Sequence, residues 1–402
     1  MSGFEIDYIK AALSEDWAVP LGPDVTAFEQ KLKEFTAANE VVALNSGTSA
    51  IHLALINCGV GPGDEVMCQS FTFCASSNPV AYLGATPVFV DSEPESWNMD
   101  PELLDTAIAD RIEKTGNKPK AIIAVALYGM PYRIDKIMEI ADKYGIPVIE
   151  DAAEGFGSRF DGRMLGTFGR FGILSFNGNK MITTSGGGAL LCPDKDTANE
   201  IMWYATQARE SYPYYQHEAI GYNYRLSNIS ACIGLGQFTV LDSYLAHHRH
   251  VQQLYCELLD DVAGIEVHDN PSPRHDANFW LCTALLDEGL RIRGQENAYK
   301  QIITGAVGGA AGVTHTASTA TTDCQPGHNV EALRIALDKA GIEARPLWKP
   351  MHRQPVYRNS PAYVNGVSES LFKRGICLPA GPYVSDADVR YIVETIKASI
   401  EH

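Results

Sequence analysis

Residues 171–191 have the sequence FGILSFNGNKMITTSGGGALL, and this stretch decides the fold and carries the most reactive candidate side chain. The apolar run from Phe171 to Phe176 predicts a buried strand, and the run from Ala189 to Leu191 predicts a second one. Lys180 lies between them, at a strand exit and beside residues too small to cover it. Partial burial disfavours the charged form of an amine, so this lysine can act as a nucleophile. The alternative is a surface lysine in a hairpin.

Length and charge bound the class of protein. A chain of 402 residues is longer than a single hydrophobic core usually supports, which predicts two packed units. An apolar content of 45% and a charged content of 20% are typical of a soluble globular protein. The formal net charge of −17 argues against nucleic acid or an anionic membrane as a broad-surface partner. An anionic small substrate stays possible, because it needs only a local cationic pocket.

The sequence shows no clear targeting segment and no clear metal-binding motif. The sequence has no uncharged apolar stretch long enough for a membrane span, and residues 1–7 lack a signal-peptide profile. We therefore expect a cytoplasmic protein. The nine cysteines are an odd number without a C-x-x-C pair, and several lie in apolar runs. This pattern favours buried reduced thiols over disulfides or a zinc site, and we expect no metal.

Short apolar runs alternate with helical patterns between residues 41 and 151. The predicted strands cover residues 41–44, 66–68, 86–90, 121–126 and 146–149, and the predicted helices cover residues 51–56, 74–82 and 135–144. Doubly buried strands that alternate with helices predict an α/β unit with a mostly parallel sheet. Ligands bind such sheets at the carboxyl ends of strands. Residues 45–49, Asp151 and Lys180 all fall at or near such ends.

The pattern changes after about residue 245. A long helix is predicted across residues 247–250, and the segments 333–341, 345–348 and 386–400 predict a smaller α+β unit. We expect a large domain over residues 15–245 and a small one over residues 246–402, with residues 1–14 packed against the small domain. The segment 304–325 is rich in Gly, Ala and Thr, which favours a flexible loop, although an ordered turn is the alternative.

The segment Ser46–Ala50 joins a predicted strand to a predicted helix. Free N–H groups and hydroxyls at a helix N-terminus form a phosphate cradle. Small polar residues also serve as plain helix caps, and that alternative stays open. The segment is not a Walker loop, and no G-x-G-x-x-G follows a strand, which removes the usual support for a nicotinamide enzyme.

Asp151 ends a predicted strand about 30 residues before Lys180. A strand-terminal Asp is often structural. When such an Asp is paired with a lysine on the same sheet edge, it can have a specific chemical role. The Asp can keep a pyridinium nitrogen protonated while the lysine forms an imine with the cofactor aldehyde, as in pyridoxal phosphate enzymes. Ser175 would then add a hydroxyl to the phosphate site. Phe73 would stack on the cofactor, or it is a core aromatic residue.

Six segments together carry a family resemblance. They are Val19–Pro23, Ser46–Ala50, Glu150–Ala153, Ser175–Lys180, Gly221–Ser227 and Arg345–Trp348. With them the chain resembles the sugar-nucleotide aminotransferases of the DegT/DnrJ/EryC1/StrS family over nearly its whole length. The resemblance implies the α/β fold of the aspartate aminotransferase superfamily (fold type I), with a large mostly parallel sheet domain and a smaller α+β C-terminal domain.

Three segments support a narrower likeness. Residues 176–188, 206–210 and 373–379 are similar to enzymes that aminate UDP-linked 4-keto-6-deoxy-N-acetylglucosamine on the route to bacillosamine. Relative to that pattern, the segment near 304–325 looks like an insertion.

The resemblance implies a role for each matched residue near the cofactor. Lys180 would bind pyridoxal 5′-phosphate covalently and shuttle the proton, and Asp151 would pair with the pyridinium nitrogen. Glu154 would lie near the cofactor 3-oxygen, and Phe73 would stack on the ring. The residues implied to hold the phosphate are Gly47, Thr48, Ser49, Ser175 and, from the partner subunit, Asn223.

The resemblance also implies a sugar-nucleotide pocket. Its segments would contribute Asp16, Trp17, Ala18, Val19, Arg345, Pro346, Leu347, Trp348 and His352. The cluster of Arg345, Lys349, His352 and Arg353 concentrates positive charge in an acidic chain, which suits a diphosphate. The alternative is a solvated basic loop.

The implied function is amino transfer to C4 of UDP-2-acetamido-2,6-dideoxy-4-keto-hexose, with L-glutamate as donor, by a homodimer with shared active sites. Such an enzyme would serve a bacterial surface glycan or protein glycosylation. One alternative is a related enzyme that makes perosamine or a C3-amino sugar. A dehydratase of the same family typically has histidine in place of the lysine, and Lys180 argues against it. A non-catalytic nucleotide-sugar-binding paralogue is the alternative from another class.

Overall fold

The computed structural model describes residues 1–301 and 324–401. Its strands are β1 (Glu40–Leu44), β2 (Glu65–Gln69), β3 (Thr86–Val90), β4 (Ala121–Val125), β5 (Val148–Asp151), β6 (Arg159–Phe160), β7 (Arg163–Met164), β8 (Phe171–Ser175), β9 (Gly188–Cys192), β10 (Ile265–Val267), β11 (His275–Asp276), β12 (Cys282–Leu286), β13 (Arg345–Pro346), β14 (Ala362–Tyr363) and β15 (Gly375–Leu378). Most of the Gly/Ala/Thr-rich segment, residues 304–323, lies outside the described residues.

The helices alternate with these strands in the first half of the chain. They are α1 (Glu5–Ser14), α2 (Pro23–Thr36), α3 (Gly47–Asn57), α4 (Asn78–Tyr82), α5 (Pro101–Thr115), α6 (Ile134–Tyr144), α7 (Lys195–Ala205), α8 (Asn228–Phe238), α9 (Leu241–Leu259), α10 (His328–Lys339), α11 (Val367–Arg374) and α12 (Asp386–Ser399). Short 3₁₀ turns connect several of them.

The main sheet has eight strands in the order β1-β9-β8-β5-β4-β2-β3-β14. Only β9 runs against its two neighbours, and the other described pairs are parallel. The predicted mostly parallel sheet is therefore confirmed. A four-stranded antiparallel sheet, β10-β12-β15-β13, belongs to the smaller C-terminal region. A three-stranded sheet, β11-β6-β7, pairs a strand from the second half of the chain with two from the first half.

The central strands are apolar throughout because both faces of the sheet are covered. In β4, Ile122 and Ala124 belong to one hydrophobic cluster and Ala121 and Ile123 to another. Neighbouring side chains on a strand point to opposite faces, so the two clusters are the two faces of the sheet. This double burial explains why the strand sequences show no polar alternation.

The amino end of α3 meets β9 at the sheet edge where the candidate site lies. Ser46 caps the helix, and its side chain accepts from Ser49 N at 3.0 Å. A Cβ atom added at Gly188 would lie 2.4 Å from Gly47 N. The close approach of these two backbones excludes any side chain at Gly188.

The smaller region has its own core, formed by α9, α10, α12 and the four-stranded sheet. The boundary near residue 245 falls inside helix α9, so this helix belongs partly to both predicted domains.

The expectation that residues 1–14 pack against the small domain is wrong for α1. This helix packs on α8, where Glu5 accepts from Gln237 Nε2 at 2.5 Å. The small residue Gly236 permits the contact, because a Cβ there would lie 2.8 Å from Glu5 Cα. Of this segment, Met1 reaches the smaller region, through a hydrogen bond to the Tyr383 hydroxyl.

In the described part of the chain, no single helix has both the length and the apolar character needed to cross a bilayer. Helices α8 and α9 meet that test only as a pair, and they are bent by 60° at the break between them.

Candidate active site

A cavity of about 340 Å³ opens at the carboxyl edge of the eight-stranded sheet. We call it the Lys180 cavity. The start of α3, the end of β5 and the segment after β8 form its walls. Its lining includes Gly47, Thr48, Phe73, Ser76, Asp151, Glu154, Ser175, Asn179, Lys180, Trp280 and Trp348.

Lys180 is held in the cavity by an acid and an aromatic ring. Its Nζ donates to Glu154 Oε1 at 3.0 Å and lies 4.0 Å from the centre of the Trp280 ring. Only 13% of its side chain is exposed. The Trp280 indole is fixed in turn, because its Nε1 donates to Asn179 O at 2.6 Å. A lysine held by a buried acid and by a cation–π contact is not an ordinary surface lysine.

Glu154 is buried and positioned from its far side. Its Oε2 accepts from Tyr128 N at 2.8 Å, at a backbone position with a φ of 55°. A non-glycine residue adopts this conformation only where its surroundings impose it. The Tyr128 hydroxyl accepts from Trp348 N at 2.9 Å, which ties the same residue to the smaller region. Burial raises the pKa of Glu154, and the nearby charge of Lys180 opposes that rise.

Asp151 forms the second buried carboxylate of the cavity. Its Oδ2 accepts from the Ser76 hydroxyl at 2.6 Å, and its Oδ1 accepts from Ala153 N at 3.2 Å. Burial raises the pKa of Asp151, and the hydrogen bond from Ser76 and the charge of Lys180 act against it. Two buried acids thus face one lysine, so a ligand group that carries positive charge would complement the cavity.

The opposite end of the cavity suits an anion. Gly47, Thr48 and Ser175 all line it. The first N–H groups of a helix have no partner within the helix, and those of Gly47 and Thr48 begin α3. Ser49 differs, because it is buried and its hydroxyl donates to Asn45 Oδ1 at 2.6 Å. Its N–H is bound by Ser46, so Ser49 serves as part of the helix cap rather than as cavity lining.

Phe73 lies at the mouth of the cavity. It is 55% exposed, and its ring centre is 5.5 Å from that of Trp348. The alternative of a core aromatic residue is therefore wrong. Phe73, Trp280 and Trp348 also line an adjoining groove of about 1150 Å³, which we call the Arg345 groove. The cavity and the groove are neighbours, and these aromatic residues line both of them.

The segment Arg345–Trp348 divides between this space and the core. Arg345, Pro346 and Trp348 line the Arg345 groove. Leu347 is buried, and its N–H donates to Gly375 O at 3.1 Å. It supports the wall without forming the surface.

The expected positive cluster is largely neutralised. Arg345 Nη2 lies 2.6 Å from Glu343, and both His352 and Arg353 lie 3.5 Å from Glu369. His352 is buried behind the wall, where its Nδ1 lies 2.7 Å from the Ser70 hydroxyl, and burial lowers its pKa. The expectation of concentrated positive charge is therefore corrected for three of the four residues: acids that the sequence spacing did not reveal pair with the two arginines, and burial disfavours the charged form of His352.

The remaining predicted residues lie outside the cavity of a single chain. Residues 16–19, namely Asp16, Trp17, Ala18 and Val19, form an exposed or half-exposed turn before α2. Asn228, at the start of α8, hydrogen bonds the carbonyl groups of Trp17 and Val19. Asn223 is exposed, and its carbonyl accepts from Asn45 Nδ2 at 3.1 Å, close to the cavity rim.

Sequence reasoning missed three residues that shape the site. Ser76, Tyr128 and Trp280 bind Asp151, Glu154 and Lys180 respectively. Ser76 and Tyr128 follow β2 and β4 at the carboxyl edge, so their strand-end position was a usable signal. Trp280 comes from a distant part of the chain, and nothing in its local sequence indicated the contact.

Comparison with known proteins agrees with this geometry. The model of the DegT/DnrJ/EryC1/StrS aminotransferase family matches residues 1–309 and 295–397. EpsN of Bacillus subtilis strain 168, provisionally assigned as a pyridoxal phosphate-dependent aminotransferase, is 42% identical over 98% of this chain and 93% of its own length. GDP-perosamine synthase of Escherichia coli O157:H7 is 33% identical over 98% of this chain and 95% of its own length.

The fold matches as well as the sequence. The crystal structure of a DegT/DnrJ/EryC1/StrS aminotransferase from Brucella abortus superimposes with a TM-score of 0.84. That protein is 30% identical, and the match covers 98% of this chain and 95% of the other. The chain therefore belongs to the DegT/DnrJ/EryC1/StrS aminotransferase family and is a fold type I, pyridoxal phosphate-dependent sugar aminotransferase.

Proposed function

We propose that the Lys180 cavity holds pyridoxal phosphate and transfers an amino group to C4 of a UDP-linked 4-keto-6-deoxy amino sugar. The observation that carries the proposal is the convergence of Lys180, Asp151 and Glu154 in one cavity that also contains the amino end of α3. The cofactor combines an aldehyde, a ring nitrogen and a phosphate. The cavity offers an amine, buried acids and an anion site to match them.

Each group of the chain then has a defined task. Gly47, Thr48 and Ser175 hold the phosphate through helix N–H groups and hydroxyls. Asp151 would keep the ring nitrogen protonated, since a buried carboxylate whose hydrogen-bond donors among the described residues are Ser76 and Ala153 gains from a nearby positive charge. The exposed face of Phe73 is free to stack on the ring.

The bound cofactor supplies an electron sink for the carbon that gains or loses a proton. Lys180 would hold the cofactor covalently, and its amine is the group placed to move the proton. Glu154 and Trp280 keep that amine within the cavity, through a hydrogen bond and a cation–π contact. The amino-acid donor and the keto-sugar acceptor would react one after the other at the same lysine, which predicts ping-pong kinetics.

The sugar enters through the Arg345 groove. Support for a UDP-2-acetamido-2,6-dideoxy-4-keto-hexose, on a bacillosamine-type route to a bacterial surface glycan or glycoprotein, comes from the motifs at residues 176–188, 206–210 and 373–379. The alternative is a different keto sugar, including the perosamine precursor, because a GDP-perosamine synthase is 33% identical over nearly the whole chain. A C3-keto sugar is a further alternative. L-glutamate is the proposed donor.

A homodimer with shared active sites fits two features. Among the described residues that line the Arg345 groove, Arg345 is the one cation, and it pairs with Glu343. Asn223 is exposed beside the cavity rim. A second subunit would therefore supply Asn223 to the phosphate, and charge to the nucleotide. The proposed compartment is the cytoplasm. All nine cysteines are free, as expected in a reducing environment.

A substrate panel tests the proposal. Purified holoenzyme with L-glutamate is assayed against UDP-, GDP- and dTDP-linked 4-keto sugars and a 3-keto sugar, with the amino product identified by mass and its stereochemistry by NMR. Preference for the UDP-linked N-acetyl 4-keto sugar in kcat/KM supports the proposal. A higher value for the GDP-linked sugar assigns the perosamine alternative instead.

A further inference from the structure

A third concave surface lies at the opposite edge of the eight-stranded sheet. It is a groove of about 640 Å³, at the point where β9 ends and β8 begins. We call it the arginine groove, because Arg159, Arg163 and Arg170 line it. Its described lining residues are shared with neither the Lys180 cavity nor the Arg345 groove.

The three guanidinium groups are held only by neutral oxygens. Arg159 Nη1 donates to Gly162 O at 2.9 Å, and Arg170 Nη2 donates to Asn57 Oδ1 at 3.1 Å. Arg163 Nε donates to the Thr167 hydroxyl at 3.1 Å. Among the described residues, no carboxylate lies within 4.0 Å of any of the three groups. Each arginine has five N–H donors, so most of their donor capacity is unused.

The neighbouring acids are engaged elsewhere. Glu150 lies beneath the groove, but its carboxylate is buried and accepts from Gly166 N at 3.1 Å and from Gly169 N at 2.6 Å. Asp194 caps α7 by accepting from Thr197 N at 2.8 Å. Asp194 still interacts electrostatically with Arg170, because the hydrogen bond from Thr197 N and, to a smaller extent, the charge of Arg170 lower the pKa of Asp194. Arg159 and Arg163 have no acid partner among the described residues. In a chain with a net charge of −17, the field of these cations attracts anions against the overall charge.

The groove is also built to orient a ligand. The Arg163 guanidinium lies 4.4 Å from the centre of the Phe168 ring, and its Nε and Nη2 donate to Thr167. These contacts hold the guanidinium in place, and its Nη1 has no hydrogen-bond partner among the described residues. Phe35 and Phe168 add half-buried aromatic surface to the lining. Fixed guanidinium forks recognise phosphate in a bidentate manner, and the aromatic surface suits the organic part of a small molecule. The volume exceeds that of a single phosphate ion.

We propose that the arginine groove binds a phosphorylated small molecule with at least two negative charges, at a site separate from the Lys180 cavity. Inorganic pyrophosphate is the probe, and its binding to the holoenzyme is measured by isothermal titration at constant ionic strength. The test variant is R159Q/R163Q/R170Q. The matched control, K136Q/R291Q/R358Q, removes the same charge from three exposed positions elsewhere.

The wild type and the control should bind pyrophosphate with the same affinity. In the test variant, the affinity of the arginine groove should fall by at least about tenfold, so that the titration detects one fewer site per chain. Binding in the Lys180 cavity persists in all three proteins and cancels in the comparison. Thermal unfolding verifies that the test variant is folded. Unchanged binding in a folded test variant overturns the proposal. Tighter, arginine-dependent binding of hexaglutamate than of pyrophosphate also overturns it, in favour of an acidic peptide partner.

Discussion

The amine of Lys180 hydrogen bonds Glu154 at 3.0 Å, and not the acid that ends β5. Asp151 is bound by Ser76 instead, so the two acids have separate partners within one cavity. This division leaves Asp151 available for a cationic ligand group while Glu154 holds the lysine.

Replacing Lys180 by alanine should abolish transamination and leave the fold intact, because the substitution removes both the nucleophile and the proton carrier. Borohydride reduction of the wild type should attach the cofactor to Lys180, as located by peptide mass spectrometry. The control is Lys195→Ala, at a side chain that is 71% exposed, which should keep full activity. An adduct on any other lysine contradicts the assignment.

Replacing Asp151 by asparagine should keep the cofactor bound and reduce kcat by about 10² to 10⁴, in the range of a lost acid–base or electrostatic contribution. The Asn side chain still accepts from Ser76 but cannot keep a ring nitrogen protonated. The checks are steady-state kinetics and the absorbance of the bound cofactor. Turnover close to the wild-type value would remove Asp151 from the mechanism.

The same substitution should stabilise the cofactor-free protein at neutral pH. Burial raises the folded-state pKa of Asp151 above its ordinary 3.8, so the folded state keeps a proton that the unfolded chain has lost. The free energy of unfolding of the wild type therefore falls as the pH rises from 3.8 through the raised pKa of Asp151. The Asn variant has no carboxyl group at this position, so it does not lose this stability.

Thermal unfolding of the cofactor-free protein measures this effect. The difference in melting temperature, Asp151→Asn minus wild type, should increase as the pH rises from about 4 and should then level off. The total increase should be a few degrees. The exposed Asp142 provides a control, since Asp142→Asn should show no such trend. A wild type that gains stability relative to Asp151→Asn over this range would contradict the argument.

Trp280 should affect turnover through its ring rather than its N–H group. Trp280→Leu removes the ring that lies 4.0 Å from Lys180, and Trp280→Phe retains an aromatic face while losing the hydrogen bond to Asn179. Cation–π contacts contribute about 0.5 to 2 kcal/mol, so Leu should reduce kcat by up to about 30-fold and Phe by less. Equal losses in the two variants, measured by steady-state kinetics, would exclude a role for the ring.

The proposed shared site predicts complementation between two inactive variants. Asn223→Asp would place a carboxylate beside the cofactor phosphate of the neighbouring subunit, and like-charge repulsion should disable that site. Mixed with Lys180→Ala subunits, it should form heterodimers in which one site carries both defects and the other carries neither.

Activity should then approach half of the wild-type value per dimer. Differently tagged subunits allow the heterodimer to be purified before the assay. The homodimers of each variant are the controls and should stay inactive. A pure heterodimer without activity would mean that each subunit builds its own site.

The sheet and the position of the reactive residues were largely predictable from sequence. Continuous apolar runs mark doubly buried strands, and β3 was predicted at its observed bounds, Thr86–Val90. Because strand ends meet at one edge, Asp151 and Lys180 were expected together, and the cavity contains both.

The missed contacts depend on tertiary packing. Trp280 lies 100 residues after Lys180 and reaches it only because the smaller region packs over the sheet. The neutralisation of Arg353 depends on Glu369, on a separate helix. The packing of α1 on α8 depends on Gly236, whose lack of a side chain has no periodic signature.

The three aromatic residues at the junction of the cavity and the groove, Phe73, Trp280 and Trp348, differ from the reacting groups in how strongly their positions restrict the choice of side chain. The acids and the lysine sit on strand ends whose backbones allow little variation, as the contact between Gly188 and Gly47 illustrates. The aromatic residues come from three distant segments and touch both the cavity and the groove. Trp280 contacts Lys180, and Phe73 is the proposed stacking partner of the cofactor. Trp348 is therefore the one of the three whose exchange reshapes the space offered to the sugar while the reacting groups keep their supports. Redesign of the acceptor preference should start at Trp348.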